Sequence, residues 1–95
     1  MTHLDRIYKH KPQLVVKNIG NESVIVPLTN KVAEMDILYT LNETGVFIWN
    51  KVDGKHTGSD IVHLLTEAFA VEEHVATRDV EELLEQMNGK IIEVL

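Results

Sequence analysis

Apolar residues recur along this chain with two different periods, and the change falls near its middle. In the first part they gather in short β-branched runs bounded by turn formers, the pattern of strands. Leu14–Ile19 follows Pro12 and predicts a strand that begins after the proline. Gly20-Asn21-Glu22 is a turn signal, and Ser23–Leu28, with Val24, Ile25 and Val26, predicts a second strand. Pro27 near its end marks a strand terminus or an edge. So short a connection pairs the two runs as an antiparallel hairpin. Residues 29–36 read as a polar loop, and Ile37–Leu41 as a third strand.

From Asn42 onward the spacing is helical. Asn42 is a good N-cap, and Val46, Trp49 and Val52 follow at helical intervals until Asp53-Gly54. Gly45 in the first turn costs up to about 1 kcal/mol relative to Ala. Its presence predicts that another backbone or an aromatic ring comes close. Thr57-Gly58-Ser59-Asp60 has capping-box form, and Ile61, Leu64, Leu65, Ala68 and Phe69 continue an unbroken apolar stripe. A third helix carries Ala76, Val80, Leu83, Leu84 and Met87 on one face and stops at Asn88-Gly89. Ile91–Leu95 is a short apolar tail suited to a last strand. The fold class predicted is α+β: a three-stranded antiparallel sheet followed by three helices, in a winged helix-turn-helix-like arrangement.

Length fits one domain, with residues 1–11 a flexible arm and 12–95 the folded unit. At 44% hydrophobic and 25% charged residues, the chain has the balance of a globular protein. No stretch approaches the roughly 18 apolar residues that cross a bilayer, and no signal-peptide pattern opens the chain. With no cysteine either, the expected compartment is the cytoplasm, without disulfides, thiol nucleophiles or zinc–thiolate sites.

The chemistry-bearing residues do not assemble into a catalytic pattern. The five histidines, His3, His10, His56, His63 and His74, include no HxxH or HExxH spacing. There is no GxSxG elbow and no glycine-rich phosphate loop. Glu72-Glu73 and Glu81-Glu82 are sequence neighbours, which do not face each other on a helix, so they read as solvated surface. Trp49 reads as core. The chain is therefore expected to be no enzyme and to use no metal or cofactor.

Charge decides between the remaining uses of such a fold. Residues 1–40 hold five Lys/Arg against four Asp/Glu, a net of +1; residues 41–95 hold four against eleven, a net of −7. The helix that would enter a DNA groove carries Glu72, Glu73, Asp79, Glu81, Glu82 and Glu85 against a single Arg78. That face would be repelled by phosphates, which argues against a winged-helix regulator. A free strand edge at Ile37–Leu41 beside a helix would instead accept an extended peptide as an added strand. Apolar walls and acidic rims would suit a peptide with apolar anchors and some basic residues. The same edge could pair with a second copy, giving a homodimerisation module.

Leu41-Asn42-Glu43-Thr44-Gly45, then Ile48-Trp49 and Asp53-Gly54, strongly resemble the PqqD family. The match continues through Thr57, Ile61, Phe69, Asp79-Val80 and Leu83-Leu84 to the C-terminus. The resemblance implies a peptide chaperone, the recognition element of a pathway that modifies ribosomally made peptides. Such a protein binds the leader segment of a precursor peptide on its third strand, against its third helix. It then presents the peptide to a modifying enzyme, a radical S-adenosylmethionine protein in pyrroloquinoline quinone synthesis. On this chain the implied strand is Ile37, Leu38, Tyr39, Thr40 and Leu41. The facing helix supplies Arg78, Asp79, Glu82, Leu83 and Gln86. The block 42–45 reads as the joint between strand and helix.

Overall fold

The expected hairpin forms with a continuous register. Strand β2 (Leu14–Ile19) pairs antiparallel with β3 (Glu22–Pro27), from Leu14 opposite Pro27 to Ile19 opposite Glu22. Gly20 turns the chain at φ +61°, a conformation that favours glycine. Leu28 N–H donates to the Gln13 carbonyl at 2.8 Å and closes the open end. Strand β4 (Tyr39–Leu41) joins the other side of β3, with Ser23 opposite Leu41 and Ile25 opposite Tyr39. The sheet order is β2-β3-β4, so Pro27 stands at a terminus of the central strand. Ser23, Ile25 and Leu41 are buried, and this face meets the helices.

The computed structural model describes residues 3–28 and 38–95. Of the strand expected over Ile37–Leu41, the part that pairs is Tyr39–Leu41. Leu38 precedes it and is 56% exposed, and Ile37 lies outside the described residues.

Helix α1 (Glu43–Lys51) starts as its sequence predicts, with the Asn42 side chain accepting the Gly45 N–H at 2.9 Å. The space beside Gly45 is filled by the Leu41 side chain and the Asn42 amide oxygen, which a Cβ would approach to 3.2 and 3.3 Å. The nearest atoms are thus side-chain atoms of these two residues rather than an aromatic ring or a distant backbone. Helix α2 (Gly58–Phe69) opens on a complete capping box: Asp60 N–H donates to Thr57 Oγ1 at 3.1 Å, and Thr57 N–H donates to the Asp60 carboxylate at 3.0 Å. Helix α3 (Glu73–Met87) buries Ala76, Val80, Leu84 and Met87 and leaves Leu83 partly exposed.

The largest correction concerns the N-terminus. Residues 1–11, expected as a flexible arm, include a 3-10 turn at His3–Asp5 and strand β1 (Ile7–His10). Strand β1 is the centre of a second sheet, between β5 (Asp53–Thr57) and β6 (Ile92–Val94). Tyr8 pairs with Val94 and is 1% exposed. The His10 ring stacks on Trp49 at 3.6 Å, and its Nε2 donates to the Trp49 carbonyl at 2.8 Å. The 3-10 turn packs so tightly on α2 that a Cβ at Gly58 would stand 2.6 Å from the His3 carbonyl oxygen. The element order is thus an α+β arrangement of two antiparallel sheets and three helices, with a strand between α1 and α2. The core runs from Tyr8 and Ile25 through Ile48 and Trp49 to Leu65, Val80 and Leu84. No helix among the described residues is long and apolar enough to cross a membrane.

Candidate functional site

In the sheet order β2-β3-β4, among the described residues, only one side of β4 is paired, to β3. No described residue pairs with the alternate N–H and C=O groups on its other side, which are of the kind that accept an incoming strand. Beside that edge lies a groove of about 370 Å³, between β4, the start of α1 and one face of α3. Its apolar floor is Leu41, Ile48 and Leu83, of which Leu41 and Ile48 are 4% and 2% exposed. Thr40, Asn42, Thr44 and Gln86 add polar groups. Among the described residues three carboxylates complete it, Glu22 from the sheet and Asp79 and Glu82 from α3, and no Lys, Arg or His is among those that line it.

The α3 residues arrive there by helical geometry. Asp79, Glu82, Leu83 and Gln86 follow the i, i+3, i+4, i+7 spacing of a single face. Asn42 fixes the groove's end through its cap: its amide oxygen accepts from the Thr44 hydroxyl at 3.0 Å as well as from the Gly45 N–H. Tyr39 is half-buried against the core, and burial pushes its phenol pKa up.

Six of the residues expected at the site meet around this groove: Thr40, Leu41, Asp79, Glu82, Leu83 and Gln86. Tyr39 belongs to the same strand, and Leu38 flanks it on the exposed side. Arg78 is elsewhere. With His74, Thr77 and Glu81 it forms its own i, i+3, i+4, i+7 set, turned by about 140° from the groove face. That set lines a separate depression of about 690 Å³. Its described lining residues lie between Glu72 and Glu81, so among the described residues one stretch of chain forms it and nothing faces it.

Glu22 and Ile48 line the groove without having been expected there, and the block 42–45, expected only as a joint, contributes Asn42, Thr44 and Gly45 to the lining. The cap at Asn42 did signal that the start of α1 adjoins the strand. Glu22 reaches the groove through the pairing of β3 with β4, and no local pattern announces it.

The family model described as Coenzyme PQQ synthesis protein D (PqqD) matches residues 22–91. No curated protein sequence is similar enough to count as a match. Among solved structures, the chain is similar to TbiB1 in complex with the TbiA(beta) leader peptide, with a TM-score of 0.66 and 20% sequence identity. The similarity covers 83% of this chain and 86% of that one, and at this identity it is a likeness of fold.

Proposed function

The chain belongs to the PqqD family, and from that premise we propose that it is a peptide-binding adaptor in the biosynthesis of a ribosomally made, modified peptide. It captures the leader segment of a precursor peptide as a strand added to β4, against α3, and presents it to a modifying enzyme. The edge of β4 that no described residue pairs with, beside the groove, is the observation that carries the reading. Backbone pairing supplies sequence-tolerant affinity, and the groove selects among side chains. The protein's part is binding and presentation, and the chemistry belongs to the partner. TbiB1, which shares the fold, was solved holding a leader peptide, and that supports the same use here.

The proposal is tested by titrating the labelled protein with a leader peptide and following backbone amides. Shifts should concentrate at Tyr39–Leu41, Leu83 and Gln86. Neighbouring amides of a strand point to opposite edges. Of the variants Tyr39→Pro and Thr40→Pro, one therefore loses a donor to β3 and the other a donor to the groove. The second should stay folded and bind weakly. Unshifted amides at millimolar peptide would sink the reading. A homodimer through the same edge is the competing use, and sedimentation with and without peptide separates the two.

A further inference from the structure

The groove's lining carries information about the strand that fills it, and the inference rests on the strand-addition reading above. In a strand laid along β4, every second side chain faces the groove. Such a side chain first crosses the floor. Leu41 and Ile48 are already almost fully covered, so a short aliphatic group gains little there. Beyond the floor it meets carboxylates. Asp79 and Glu82 are three residues apart on α3 and side by side on its surface, and Glu22 stands on the sheet side. Among the described residues Arg78 contacts one of these acids, its Nε lying 3.7 Å from Asp79 Oδ1. Both side chains are about half exposed or more, so this long contact contributes little.

We propose that the bound strand places a lysine or arginine at a groove-facing position, its aliphatic stem over Leu83 and its charged head between Asp79 and Glu82. A stem of three or four methylenes covers the apolar floor while the head stays with the acids. A glutamate or aspartate there would meet three like charges, so the groove selects against acidic strands as strongly as it selects for basic ones. Asp79 and Glu82 are the residues that set this choice.

The test uses two labelled strand-forming peptides of alternating valine and threonine, on the order of ten residues long. They are identical except that one carries lysines and the other glutamates on one face. Anisotropy gives their affinities for the full chain, and amide shifts locate them. The lysine peptide should bind at least about tenfold more tightly, with shifts at Tyr39–Leu41. The double variant Asp79→Asn, Glu82→Gln should lose most of that advantage. The control Glu67→Gln, Glu85→Gln removes the same net charge from exposed positions outside the groove, and it should change binding by less than about twofold. Equal losses in both double variants would mean that net charge alone acts, and would overturn the proposal. Equal affinities with shifts at Tyr39–Leu41 would overturn it while leaving strand addition intact. Binding by neither peptide at millimolar concentration would overturn both.

Discussion

Asn42 has two duties that one atom performs. Its amide oxygen accepts from Gly45 N–H and Thr44 Oγ1, which starts α1 and shapes the end of the groove. Asn42→Ala should lower stability by about 1 kcal/mol, the usual worth of an N-cap, as read from a denaturant midpoint. Asp53 acts at the opposite end of the same helix. Burial pushes its carboxyl pKa up, but hydrogen bonds from the His56 ring and from the backbone N–H groups of Lys55 and His56 outweigh this and hold it below the ordinary value. The unfolded chain therefore binds the proton more tightly than the folded one. The stabilisation is complete above the ordinary carboxylate pKa and is lost as pH falls through the lower folded value. Asp53→Asn should accordingly be less stable than the parent near neutrality and converge with it in acid. Parallel thermal-melt curves across that range would refute the assignment.

Helix α3 shows how one element serves two faces and why both can be tested independently. Its groove face carries Leu83 and its opposite flank carries Arg78, on the separate depression. Leu83→Ala should weaken peptide binding several-fold through lost apolar contact, with a modest cost in stability because Leu83 is only partly buried. Arg78→Ala should leave both affinity and stability within about twofold, since it removes only an exposed ion pair. Elements with many apolar residues at a steady period were legible in the sequence: the β2–β3 hairpin, the capped start of α1, the capping box of α2 and the stripe of α3. Strands β1 and β5 were not. Strand β1 contributes one fully buried residue, Tyr8, and Asp53–Thr57 contains no large apolar residue, so neither shows a period. Both exist because distant segments pair with them, and tertiary partners override local preference. The groove was legible to the same extent. Its α3 wall follows from helical spacing, whereas Glu22 enters by strand register and Arg78 leaves by a rotation of one residue.

At the scale of the molecule, the two sheets divide labour between stability and recognition. The sheet β5-β1-β6 ties the ends of the chain together: Tyr8 pairs with Val94, and Leu95 N–H donates to the Ile7 carbonyl at 2.9 Å. The sheet β2-β3-β4 carries the β4 edge and the groove. No groove-lining residue belongs to β1, β5 or β6. A change in the first sheet should therefore act on the folded population, and only through it on binding. Tyr8→Ala empties a fully buried aromatic site and should cost about 3–5 kcal/mol. A domain of this size has roughly 5–14 kcal/mol in total, so the melting temperature should fall steeply. Where the variant is still folded, its peptide affinity should equal the parent's. Closer to its midpoint, the apparent dissociation constant should rise only by the reciprocal of the folded fraction. Calorimetric titration at two temperatures, with the folded fraction measured by circular dichroism, checks this relation. An affinity loss in fully folded Tyr8→Ala would show instead that the sheet joining the chain ends also shapes the groove.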